Sequence, residues 1–132
     1  MQQFSREVLA DLNDMLEADG EDVTLQRMAA PSGGAASVAA SVTVRARVME
    51  IGAANRNQDL VGNVAQGDIV IVMSPTEIIA AGWTAGRVSG DDDRVPTKGN
   101  RVVRAGRIYT VQKGFGKYVY GALVRIEVVA RG

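Results

Sequence analysis

The chain has 132 residues, 15 basic and 15 acidic side chains that leave it formally neutral, and neither cysteine nor histidine. That length fits one domain, spanning 1–132, and a chain of this size buries roughly two-thirds of its unfolded surface without staples. Absent cysteine excludes disulfides and thiolate metal sites, and absent histidine removes the commonest metal ligand and the usual general base. The expectation is a protein that is not an enzyme and holds no metal or cofactor.

At the N-terminus Phe4, Val8, Leu9, Leu12, Met15 and Leu16 fall on one helical face, with Glu7, Asp11, Asp14 and Glu17 on the other. Ser5 is the expected N-cap and Gly20 the expected stop, which predicts a helix over 1–19. It is expected to lie on its own sheet, docking on a neighbouring subunit being the alternative. This acidic, amphipathic start is unlike a secretory signal, and no apolar run approaches the ~18–20 residues of a membrane span. The reading is a soluble protein made in the cytoplasm.

Val23 and Leu25 alternate in EDVTLQRM and predict a short strand. Residues 29–41, AAPSGGAASVAAS, are all small or turn-forming and predict a flexible loop, longer than the usual connection. Ala29, Pro31, Gly33, Gly34 and Ser41 mark it as a candidate contact arm, an idle surface loop being the plainer alternative. The β core is expected from 42 to 132. Val42, Val44, Ala46 and Val48 face one way and Thr43, Arg45, Arg47 and Met49 the other, a half-buried strand. GAANRNQDLVGNVAQG reads as a polar loop or a short edge strand around Leu60 to Val64.

DIVIVM, residues 68–73, is apolar on both faces, so both should be covered, most simply by the barrel core and the N-terminal helix, a subunit contact being the alternative. Ser74, Pro75 and Glu77 then read as N-cap, first helical position and capping-box acid of a short helix that Gly82 ends. WTAGRVSGDDDRVPTKGN is turn-rich; its Asp91, Asp92 and Asp93 lack the spaced ligands of a calcium loop and read as a solvated turn. RVV is expected to pair with RIYTVQK across RAG, and GFGK to turn the chain into a last strand with Val124, Ile126 and Val128 on one face and Arg125 and Glu127 on the other. One or two helices and five to six mostly antiparallel strands make a mainly β fold: a small antiparallel β-barrel or rolled sheet with an N-terminal α-helix and one short internal helix.

Charge is segregated. Residues 1–30 carry two basic and seven acidic side chains, and residues 94–132 carry nine and one. This suggests head-to-tail attraction between copies, a basic face for nucleic acid, or neutralisation of one end by the other within a monomer. Tyr109, Phe115, Tyr118 and Tyr120 among these cations also suit a single-strand-binding barrel, with Tyr118 and Tyr120 on one strand face, although aromatic residues are only 5% of the chain and some must be core.

Four stretches carry a family resemblance: DGEDVTLQRM (19–28), VAQGDIVIVMSPTEI (64–78), VPTKGNRVVRAGRIYTVQK (95–113) and LVRIEVVARG (123–132). They resemble, in order, the first strand after a short N-terminal helix, the central strand with its following turn, the late hairpin and the last strand of the head-completion proteins of long-tailed bacteriophages and prophages, also called head–tail joining, head-closure or stopper proteins. In the hairpin the family's Gly-Asp, Val, Gly, Tyr and Val correspond to Gly99, Asn100, Val102, Gly106, Tyr109 and Val111, Asn100 being the departure. These motifs are structural rather than chemical.

The resemblance implies a structural virion neck protein, without enzyme activity, in a homo-oligomeric ring of six- or twelve-fold order. Its neighbours would be the portal or adaptor ring and a tail-terminator or tail-tube protein, with double-stranded DNA crossing a central channel without sequence-specific contact and no membrane involved. Arg101, Arg104, Arg107, Lys113 and Lys117 are the candidate DNA-facing or inter-subunit cations. The alternatives are another ring of the same neck, a tail terminator or adaptor, and a monomeric single-strand nucleic-acid-binding β-barrel; a carboxylate-only enzyme is a distant third.

Overall fold

In the computed structural model the described residues are 2–29, 37–51, 67–85 and 92–132. The doubly apolar run becomes β3 (Ile69–Met73), buried at every position. Its inward residues Ile69, Ile71 and Met73 join the main core; Val72 meets Leu12 and Leu16 of α1 (Gln2–Asp19), and Val70 meets Ile51 and Val129. The expected cover by core and helix therefore holds for Val72, while Val70 is sheltered by neighbouring strands.

Around β3 the other strands are β1 (Glu21–Ala29), β2 (Ser37–Glu50), β4 (Arg101–Arg104), β5 (Arg107–Val119) and β6 (Ala122–Arg131). They close an antiparallel barrel in the order β1-β2-β3-β6-β5-β4. The closing seam joins the early and late parts of the chain, with Leu25 opposite Val102. Closure removes continuous open edges, which suits strands with apolar residues on the inner face. Outside the barrel α1 packs against β6 and β2, burying Leu12 and Leu16. Phe4, expected on that buried face, is instead 52% exposed.

After β3, Ser74 caps α2 (Pro75–Ala80) by accepting a hydrogen bond from the Thr76 amide at 3.1 Å. The bond comes from the second helical residue, not from Glu77 as a capping box requires. Gly82 takes φ +76°, and the amides of Gly82 and Trp83 donate to the carbonyls of Ile79 and Ile78, the paired bonds of a Schellman stop. This turn drives Trp83 into the core.

Several boundaries differ from the sequence expectation. Of the loop expected over 29–41, the described residues, 29 and 37–41, are strand: Ala29 ends β1 and Ser41 lies inside β2, while Pro31, Gly33 and Gly34 lie outside the described residues. Small side chains bury little area, but a strand pair is also held by its backbone ladder, which composition does not register. The β core thus begins at Glu21 rather than 42. Residues 27–29 and 37–40 pair with each other as a two-stranded arm whose register slips at Arg27/Met28, with Ala39 as the extra residue. The suggested edge strand at Leu60 to Val64 is outside the described residues.

Ser5 is not a cap. It sits within α1, buried, and its hydroxyl donates to the Val119 carbonyl at 2.9 Å, fixing the helix to the β5–β6 hairpin. GFGK is not a turn either: Gly114 to Lys117 lie inside β5. The chain reverses at Tyr120 and Gly121, with φ of +49° and +79°, as it does at Ala105 and Gly106 in the expected β4–β5 hairpin. Gly114 is needed because the Pro96 carbonyl occupies the space where a Cβ would stand. The connection before β4 contains no strand at 92–100, as expected, and lays buried Val95 into the core at this place. On β6 a second register slip makes Val124 the extra residue, so Leu123, Ile126 and Val128 share the core, while Arg125 and Glu127 lie outside as expected.

Candidate interaction surface

Strand alternation decides where each candidate cation goes. Val102 faces the core, so Arg101 lies on the outer surface of β4. Beyond an irregularity between Val111 and Lys113, the residues Lys113, Phe115 and Lys117 alternate with Gly114 and Gly116, whose cross-strand partners are the core residues Val128 and Ile126. The two lysines are exposed. They share an outward stripe with Phe115, whose ring has the Lys113 ammonium 5.1 Å from its centroid. At that distance the ring's negative face attracts the cation.

Arg104 and Arg107 behave differently. They flank the β4–β5 turn at the barrel end where β1 begins and β2 ends. Arg104 donates to both carboxylate oxygens of Glu21, at 2.6 and 3.3 Å, and approaches Glu50 at 3.5 Å. The bond to Glu21 raises the guanidinium pKa, despite some loss of hydration. Arg107 lies 5.2 Å over the Tyr109 ring. At the same end Arg131 makes a two-pronged contact with buried Asp68, at 2.8 and 3.0 Å.

Four of the nine basic residues in 94–132 are therefore ion-paired: Arg94, Arg104, Arg125 and Arg131. Arg125 lies 2.9 Å from Glu127, though its Nε–H is not aimed to form a hydrogen bond. Part of the charge imbalance read along the sequence is thus cancelled within the molecule. What remains on the outer β4–β5 wall is Arg101, Lys113 and Lys117, the subset of the five candidates that the fold brings together on one surface.

On another wall α1 exposes Glu7, Asp11, Asp14 and Glu17. None of the four has a cationic partner among the described residues. In the closed order β3, over which the helix crosses, is three strands from β4 and two from β5. The unbalanced charges of opposite sign therefore lie on distinct surfaces, α1 packing on β6 beside β5.

The aspartates around Asp92 form an internal tie. Asp92 accepts two bonds from the Arg94 side chain, at 2.9 and 2.8 Å, and one from the Tyr118 hydroxyl at 2.6 Å. The Arg94 bonds hold the carboxyl well below the usual carboxylate range against a partial loss of hydration, and the Tyr118 bond lowers it further. Tyr118, a candidate stacking platform, thus carries a carboxylate at its hydroxyl, which repels a phosphate backbone there. Among the described residues no group of three or more acidic side chains is placed to hold a metal ion, and Asp91 lies outside them. No helix among the described residues is long and apolar enough to cross a membrane.

One feature of the surface escaped the sequence reading. Phe4 and Tyr120 meet edge to face, centroids 6.2 Å apart, beside a groove of ≈470 Å³ lined by Ser5, Arg6, Leu9, Leu123 and Val124. The serine interrupting the apolar helix face is the sequence signal for this contact. No protein-family model and no curated protein sequence matches the chain.

Proposed function

We propose that this protein is a structural subunit of a bacteriophage or prophage virion neck, a ring component that closes the DNA-filled head and joins it to the tail. The observation that carries the reading is positional. In their described residues, the four stretches that resemble the head-completion proteins lie in order on β1, on β3 with the start of α2, on the β4–β5 hairpin and on β6. A barrel that places unbalanced charges of opposite sign on distinct surfaces, in a chain without histidine or cysteine, supports work done by shape and charge rather than by reaction. On this reading the protein is not an enzyme, resides in the virion neck after synthesis in the bacterial cytoplasm, meets the portal or adaptor ring on one side and the tail on the other, and lets DNA pass.

The test is to mix the purified protein with DNA-filled, tailless heads. The expected result is protein at one vertex in negative-stain images, retained DNA and recovered tail attachment. Absence of binding to such heads, or tight binding of free oligonucleotides by the lone barrel, would sink the reading.

A further inference from the structure

We infer that the acidic stripe of α1 in one copy docks on the Lys113–Phe115–Lys117 wall of a second copy, so that the chain associates head to tail. This deepens the ring reading above and rests on it. Both halves of the contact are carried by the same molecule. Glu7, Asp11, Asp14 and Glu17 are exposed along one side of α1, away from buried Leu12 and Leu16. Lys113 and Lys117 are exposed on the outward face of β5, Arg101 lies on the outer surface of neighbouring β4, and Phe115 is half-buried between the lysines.

The spacings match. Four strand residues separate Lys113 from Lys117, a reach of ~13 Å. Ten helical residues separate Glu7 from Glu17, a reach of ~15 Å. A helix laid along β5 can therefore set an acidic pair against each lysine. The exposed part of the Phe115 ring adds an apolar patch at the centre of the contact, where desolvation strengthens the flanking charges.

The two patches are different surfaces of the molecule, and a head-to-tail contact between them is heterologous. Repetition produces a closed ring if the rotation closes and an open chain if it does not.

A polyanion is the competing occupant of the lysine wall. Duplex-binding proteins commonly neutralise about six to ten phosphates. The wall offers three unpaired cations, Arg101, Lys113 and Lys117, because Arg104 and Arg125 are already taken by Glu21 and Glu127. A short acidic helix suits that number better than a duplex does.

The experiment is sedimentation velocity on the full chain at about 20 mM and about 0.5 M ionic strength, where the screening length falls from tens of ångströms to a few. Concentration-dependent association is expected at low salt and at least tenfold weaker association at high salt. Lys113→Glu/Lys117→Glu and Asp11→Lys/Asp14→Lys should each abolish self-association. Mixed together, they should associate again, the native helix of one on the native wall of the other and the reversed helix on the reversed wall. A chain carrying all four reversals should regain self-association. These exposed positions leave the core untouched, and a thermal melt checks that each variant folds.

Monomers throughout at low salt overturn the inference, as does self-association that ignores the reversals. Loss of binding to a short duplex by the lysine variant, with self-association unchanged, overturns it in favour of the polyanion. Binding to tailless heads is read separately: a protein that joins heads yet stays monomeric alone under all salts refutes this contact and leaves the neck reading standing.

Discussion

Asp92 shows how a single side chain fastens a segment that lacks regular structure. Its carboxylate collects the Arg94 guanidinium and the Tyr118 hydroxyl, joining the connection before β4 to the β5–β6 hairpin 26 residues away. Both partners favour the ionised form, so its folded-state pKa lies below the unfolded value of about 3.9. A depressed carboxylate pKa gives stability that is complete above the unfolded value and is lost as pH falls through the folded one. Asp92→Asn is therefore expected to melt lower than the native chain at neutral pH, and the gap should narrow as pH is lowered below about 4. Melting curves between neutral and strongly acidic pH check this. A gap that stays constant would show that the carboxylate charge is not what holds the segment. A local window of sequence shows the three aspartates as a turn, but partners far along the chain are not visible in it.

Elements whose role depends on side-chain pattern were legible, and those whose role depends on backbone proximity were not. Ile69 to Met73 reads as a strand covered on both sides, because no residue in it tolerates water well. The arm made by residues 27–29 and 37–40 was missed because alanine and serine signal a loop by composition, although any residue with a free amide can join a ladder. The glycines of KGFGK misled in the opposite direction. A glycine in a strand often marks close backbone approach rather than a turn, and Gly114 makes room for Pro96. The helix was placed correctly from its period, although Ser5 proved to be an anchor. Its grip on the barrel comes chiefly from Leu12 and Leu16 against Val72. Leu16 is 1% exposed, so Leu16→Ala is expected to cost ~2–5 kcal/mol through lost burial and the cavity left behind. A urea titration measures the difference. A loss below about 1 kcal/mol would mean that the helix contributes little to holding the barrel, and would also weaken the case for α1 as a rigid docking element.

At the scale of the whole molecule the barrel is one cooperative object only if its seam closes. Thr24, Leu25 and Gln26 pair with Val103, Val102 and Arg101, so closure joins strands separated by most of the chain. Such long-range pairing imposes a large entropic cost before its contacts form, and barrels of this kind fold in milliseconds to seconds rather than microseconds. Trp83 is the only tryptophan, and it is buried in the same cluster as Leu25 and Val102, which makes it a reporter placed where closure is felt. If closure and core packing are a single event, Trp83 fluorescence and far-ultraviolet circular dichroism will trace one denaturation curve with one midpoint. Leu25 is fully buried at the seam, and Leu25→Ala is expected to lower that common midpoint by an amount equivalent to ~2–5 kcal/mol while the two probes still coincide. Separate midpoints in the variant would show that the strands can remain assembled with the seam open. The α1 wall and the β5 wall would then no longer be held at a fixed angle, and no regular ring could be built from their contact, because repeated head-to-tail docking closes only when every subunit presents its two surfaces in the same relative orientation.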